Sequence, residues 1–233
     1  MHRKELNERS PLRIFEQSIH GGLGRGNVGV VVARHGVGKT AFLVGVALDD
    51  LMRGRKVLHV ALRQPMHKVR EYYDEIFVDL ALTANLEDQA TTLREIERNR
   101  NIHAYMGATF TIAKLLADIA LLREYADFVP SAVLIDGCDF EALTPAMLAQ
   151  FRKLARDLDA EMWMTAVTHR ESRFNERGIP DPVARYEHDV DVIVRLAHDG
   201  KAVHVHLLKD HENPKVSEAG VALDPTTMLL MQE

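Results

Sequence analysis

One short segment, Arg34-His35-Gly36-Val37-Gly38-Lys39-Thr40, constrains the fold more than any other part of the chain because of what flanks it. Before it runs Val28-Gly29-Val30-Val31-Val32-Ala33, rich in β-branched residues, as in a strand covered on both faces. After it, Phe42, Leu43, Val46, Ala47 and Met52 recur near helical spacing, and Gly54 stands where a helix over 40–53 would stop. Strand, glycine-rich turn and helix in that order point to an α/β sheet with parallel strands. The pattern then repeats. Val57 to Leu62 reads as a second strand, Met66 to Leu82 as a helix entered after Pro65, and the polar stretch 85–100 as a short helix before a third strand at Ile102 to Met106. Ile112, Leu115, Leu116, Ile119, Ala120 and Leu122 predict a helix over 111–126. Ser131 to Asp136 reads as another buried strand, Thr144-Pro145 opens a helix reaching about Leu158, and Glu161 to Val167 is again a strand. The last third changes character. Val190 to Ala197 and Ala202 to Leu208 flank an Asp199-Gly200 turn, and short strands at Val221 to Leu223 and Met228 to Met231 follow, so antiparallel strands are expected at one edge.

Taken with Ala33, the glycine-rich segment matches the Walker A pattern, with Ala in place of its first Gly. Gly36 and Gly38 let the backbone turn so that successive N–H groups, from Arg34 and His35 through Val37 to Ala41, face a phosphate chain. The positive end of the following helix strengthens that field. Lys39 would reach the β- and γ-phosphates, and the Thr40 hydroxyl would ligate Mg²⁺. Asp136, at the end of the Val133-Leu134-Ile135 strand, fits a Walker B carboxylate holding the same ion through its water shell. Asp139 reads as a cap for the next turn, and Cys138 as a small buried residue.

This order of parts resembles the RecA-like P-loop ATPases, especially their KaiC, RadA and DnaB branch. Gly21-Gly22-Leu23-Gly24-Arg25-Gly26 is similar to that group's lead-in to the first strand, and the likeness runs over roughly 14–231. The resemblance implies a three-layer RecA-like fold with a mainly parallel central sheet, formed as one nucleotide-binding domain over 1–233 with a flexible leader at 1–13. It also implies ATP and Mg²⁺ as cofactors, and a homo-oligomer or a RecA-like paralogue as partner. His169, at the end of the Glu161–Val167 strand, falls at the family's γ-phosphate sensor position, although a solvated strand-end histidine is an equal reading. Lys209 falls where hexameric relatives carry a lysine that reaches a neighbour's γ-phosphate.

The departures matter as much. The second strand of the family usually ends in glutamate, which orients or deprotonates the attacking water; here Leu62-Arg63-Gln64-Pro65 takes that place, leaving Gln64 to position a water without accepting its proton. Loss of a general base costs about 10²- to 10⁴-fold in rate. His211 stands where an arginine finger would be, a loss of about 10³- to 10⁵-fold. Glu71, or Arg170, Arg173 and Arg177, are the residues that could substitute. The expectation is therefore an ATP-binding conformational or assembly switch with weak or absent hydrolysis. The alternative is an active ATPase working as an oligomer on nucleic acid.

Composition sets the remaining bounds. Across 233 residues, 29 Lys+Arg face 34 Asp+Glu, a net charge of −5, so no polybasic arm is present to drive nucleic-acid or membrane-surface binding. The basic residues of 170–187 are offset by Glu171, Glu176, Asp181 and Glu187, which makes direct nucleic-acid contact a minor expectation. One cysteine excludes an intrachain disulfide framework and fits a cytoplasmic location, and no apolar run of membrane-spanning length occurs. His204 and His206 share a strand face without a third ligand at a useful spacing, as expected of edge-strand histidines facing water.

Overall fold

The computed structural model describes residues 1–107 and 109–233. In chain order its elements are α1 (Arg3–Glu8), α2 (Leu12–Ser18), β1 (Val28–Ala33), α3 (Lys39–Met52), β2 (Val57–Ala61), α4 (Met66–Thr83), α5 (Gln89–Asn99), β3 (Arg100–Ala104), α6 (Ile112–Ala126), β4 (Ala132–Asp136), α7 (Pro145–Leu158), β5 (Glu161–Val167), β6 (Val192–His198), β7 (Val203–Asp210), β8 (Val221–Leu223) and β9 (Leu230–Gln232). One nine-stranded sheet takes the order β3-β2-β4-β5-β1-β6-β7-β8-β9. The strands from β3 to β6 pair in parallel, and β7, β8 and β9 join antiparallel.

Helices cover both faces of the parallel part, which explains its continuous apolar strands. On one face, α1 to α5 pack over Val31, Ala33, Val57, Leu134 and Trp163. On the other, α6, α7 and buried residues of 179–190 cover Val30, Val32, Leu58, Val133 and Met164. Gly29 has a packing reason. It pairs with Trp163 across β1 and β5, and a Cβ there would lie 2.5 Å from the indole ring. Local signals act as their chemistry requires: the Thr144 side chain accepts from the Met147 amide at the start of α7, and Gly54 takes φ +77° just beyond α3. The Asp199 carboxylate accepts from the amides of Lys201 and Ala202 in the β6–β7 turn.

Residues 1–13 differ from the expected flexible leader. They carry α1 and the start of α2, both too short to hold themselves and both fixed by tertiary contacts. Asn7 Nδ2 donates to the Asp49 carbonyl at 3.0 Å and to its carboxylate at 2.9 Å, Leu6 is buried, and Arg13 pairs with Asp49. The edge strand β3 begins at Arg100, two residues before the expected start. Among the described residues, no helix is long and apolar enough to cross a membrane.

Candidate nucleotide and magnesium site

In a parallel sheet the carboxyl ends of the strands open onto the crevice where ligands collect. Here that edge brings together the loop after β1, the turn after β2, Asp136 of β4 and the end of β5, around a cleft of about 340 Å³. The loop between Ala33 and Lys39 turns through Gly36 at φ +74° and Gly38 at φ +102°. No L side chain adopts that backbone without strain, and Gly38 also lies under Leu223 and Met228. Among the described residues, the amides of His35 to Thr40 donate to no protein acceptor, and α3 starts with the Phe42 amide bonded to the Gly38 carbonyl. A concave row of free N–H groups at a helix N-terminus is an anion cradle.

Lys39 crosses the mouth of this cradle. Its Nζ donates to the carbonyls of Ala33 at 3.1 Å and Arg34 at 2.8 Å. Burial pushes its pKa below the ordinary lysine value, against the opposing pull of Asp136. Strand alternation puts Asp136, Thr165 and His59 on the same face of β4, β5 and β2, the face covered by α3 and α4. Thr40, in the first turn of α3, donates its hydroxyl to Asp136 Oδ2 at 2.8 Å, and Thr165 donates to Oδ1 at 2.8 Å. Thr165 in turn accepts from the Gly137 amide at 2.7 Å. Burial alone would raise the pKa of Asp136, but His59 and the Thr40 and Thr165 hydroxyls outweigh it, so the group sits below the usual carboxylate range and stays anionic. A hydroxyl oxygen beside a carboxylate is a donor set suited to a hard cation such as Mg²⁺.

Most of the sequence-derived residues meet here. His35, Gly36, Gly38, Lys39, Thr40, Ala41, Gln64 and Asp136 line the cleft, and Gln64 Nε2 lies 3.3 Å from Thr40 Oγ1. Val37, partly buried against the core, and Arg34 both line a separate cavity rather than the cleft.

Two candidates lie elsewhere. Lys209 belongs to β7, which runs antiparallel, so its late residues lie toward the amino-terminal edge of the parallel strands: it pairs with Ile193, itself level with Val30. Its ammonium is buried and donates to the carbonyls of Glu187 and Val190, both at 2.7 Å, so it acts as a structural bolt and does not line the cleft. His211 is similarly engaged, with Asp210 and the Leu23 carbonyl. His169 is exposed beyond the end of β5 and lines that separate cavity, so at this strand the cleft is lined by Thr165 and Val167 instead.

No protein-family model and no curated protein sequence matches the chain. The geometry therefore carries the assignment.

Among the described lining residues, none of Glu71, Arg170, Arg173 and Arg177, the residues that could substitute, is found in the cleft. Glu71 is exposed and pairs with Lys68 at 2.7 Å, while Arg177 pairs with Glu187 at 2.8 Å. Residues not anticipated from sequence complete the site: Thr165, Arg63, Tyr72 and Met228 all line it. Arg63 donates from Nε to the Gly137 carbonyl at 3.1 Å, and Met228, which packs against Gly38, is held at φ +57°, an unusual conformation for a non-glycine residue. Thr165 and His59 did leave a signal, each being a polar residue inside an otherwise apolar buried strand. Cys138 is buried and its thiol is pushed up to about 12 by burial, so it is inert. The Asp139 carboxylate caps the next turn, accepting from Glu141 and Ala142.

Proposed function

We propose that the chain is a RecA-like P-loop protein that binds ATP with Mg²⁺ and uses site occupancy to bias its conformation or assembly, with little or no hydrolysis. The observation that carries this reading is the lining of the cleft: a row of free amides, one lysine and one hydroxyl–carboxylate pair, with Asp136 the only carboxylate among the described lining residues. The loop amides would cradle the phosphates, Lys39 would exchange its carbonyl partners for phosphate oxygens, and Thr40 with Asp136 would hold the magnesium. The ion, when bound, neutralises charge on the phosphate chain. Met228 and Tyr72 give the cleft an apolar flank against which a base can rest.

Asp136 is committed to Thr40 and Thr165, so it is poorly placed to deprotonate water, and Gln64 has no basic group. Absence of a general base and of an arginine finger together lowers turnover by many orders of magnitude. The preference for adenine over guanine rests on the lack of an Asn-Lys-x-Asp segment together with the resemblance to RecA-like ATPases. Binding of MgATP measured beside phosphate release tests the proposal: tight binding with turnover near background is expected, and robust turnover abolished by Lys39→Ala would replace the switch with a motor.

A second reading, an ATPase acting as an oligomer on nucleic acid, draws on one observation. Arg34, Arg170 and Arg195 line a cavity of about 210 Å³ beside the phosphate loop, with Phe174 exposed next to them, and none of the three forms an ion pair among the described residues. Turnover stimulated by single-stranded DNA would favour it.

A further inference from the structure

A file of buried polar groups runs from α4 through β2 to the candidate cation site. His59 sits in the middle of β2 with 0% of its surface exposed. Its Nδ1 lies 3.1 Å from the Tyr73 hydroxyl, while Nε2 has no hydrogen-bond partner and faces Asp136 Oδ2 at 3.9 Å. An imidazole lone pair turned toward a carboxylate is repelled, so the stable tautomer places hydrogen on Nε2 and has Nδ1 accept from Tyr73. Tyr73 suits the donor role: it is buried, burial holds its hydroxyl protonated, and the Arg100 guanidinium lies 4.6 Å over its ring. A buried N–H left 3.9 Å from a carboxylate is an unusual expense for a core, and buried donors without partners call for a reason.

We propose that His59 is a positioning residue for the magnesium-binding carboxylate, its Nε2–H fixing the orientation of Asp136 from the buried side. The inference rests on reading the cleft as a magnesium-nucleotide site. Thr165 holds Oδ1, and Thr40 holds Oδ2 with the same hydroxyl oxygen that would ligate the cation. Once a cation sets the position of that hydroxyl, Oδ2 keeps only one protein donor that is independent of the metal, and that donor is His59. A shift of about an ångström brings Nε2 within hydrogen-bond distance. His59 does not line the cleft and touches no substrate atom; it acts through Asp136 alone. Tyr73 acts one step further back, by selecting the tautomer.

The test is calorimetric titration of ATP into wild type, His59→Leu, His59→Gln and Tyr73→Phe, each with excess Mg²⁺ and with EDTA. In His59→Leu the gain in affinity conferred by Mg²⁺ is expected to fall about tenfold, the lower end for groups that support a metal ligand. Affinity in EDTA should stay within twofold. His59→Gln, which restores an N–H, should recover part of the gain, and Tyr73→Phe should lie between. An unchanged magnesium gain in His59→Leu, or a parallel fall with and without Mg²⁺, overturns the inference while leaving the nucleotide reading intact. A wild-type protein that binds no magnesium nucleotide overturns both. Should His59→Leu not fold, the magnesium gain in Tyr73→Phe decides, since that change removes one hydroxyl and keeps the ring packing; no change there counts against the proposal.

Discussion

Replacing Thr165 by valine removes one oxygen from the centre of the site and leaves its shape nearly intact. Two hydrogen bonds disappear: the 2.8 Å bond donated to Asp136 and the 2.7 Å bond accepted from the Gly137 amide, at a residue only 1% exposed. A bond to a charged group contributes about 1.5–3 kcal/mol, and an orphaned buried N–H costs about 1–3 kcal/mol. Together these give about 2.5–6 kcal/mol of lost stability, reduced toward about 3 kcal/mol because Thr40 still holds the other carboxylate oxygen and the half-buried Gly137 amide lines the open cleft, where water can reach it. For a chain of this size 1 kcal/mol corresponds to about 2–4 °C, so the melting temperature should fall by roughly 6–12 °C at neutral pH, read by calorimetry without nucleotide. Thr165→Ser should retain most of the stability. The penalty also has a pH signature. The pKa of Asp136 is lowered in the folded protein, so the stability it supplies is present above the ordinary carboxylate pKa and is lost as pH falls through the lowered value. The gap between wild type and Thr165→Val should narrow in acid. A loss below about 1 kcal/mol at pH 7 would refute the claim that Thr165 anchors the carboxylate.

Other outcomes follow from the same contacts. Lys209→Met strips the donor from two buried carbonyls and should cost about 2–3 kcal/mol in urea unfolding while changing MgATP affinity less than twofold; a large affinity loss without destabilisation would return Lys209 to the nucleotide. Glu161 is pushed up to about 7, first by burial and then by Asp50. Since its folded pKa is raised, its contribution favours the folded state in acid and is lost as pH rises from about 4.5 through about 7, by about 3 kcal/mol at most. Melting temperature measured from pH 5 to pH 8 should therefore fall less steeply in Glu161→Gln than in wild type, and parallel slopes would show that Glu161 does not titrate there.

The strand-helix succession and the glycine-rich turn after β1 are legible in the sequence because local chemistry dictates them: β-branched runs, glycines at positions requiring positive φ, and Thr144-Pro145 as a cap all act within a few residues. Asp136 was likewise findable, being the carboxylate that ends a buried strand. What escaped depends on distance along the chain. The six- and seven-residue helices α1 and α2 exist through contacts to Asp49 and neighbouring residues, which no window of sequence contains. Lys209 was placed by family resemblance alone, although the Asp199-Gly200 hairpin already implied an antiparallel strand; that register carries its ammonium away from the glycine-rich loop. His169 lies four residues too far along the chain, the inward position being taken by Thr165, whose polar side chain inside Met162-Trp163-Met164 and Ala166-Val167 was the available clue.

The most direct measurement is the melting temperature of wild type and Lys39→Ala with and without MgATP at about one hundred times the wild-type dissociation constant. Occupancy at that level adds about 2.7 kcal/mol, which raises the wild-type transition by roughly 5–11 °C, and Lys39→Ala should lose most of that rise while keeping its own unliganded stability. A wild-type transition that ignores MgATP, or an equal rise in Lys39→Ala, would contradict the assignment of the loop at residues 34–40 as a triphosphate cradle.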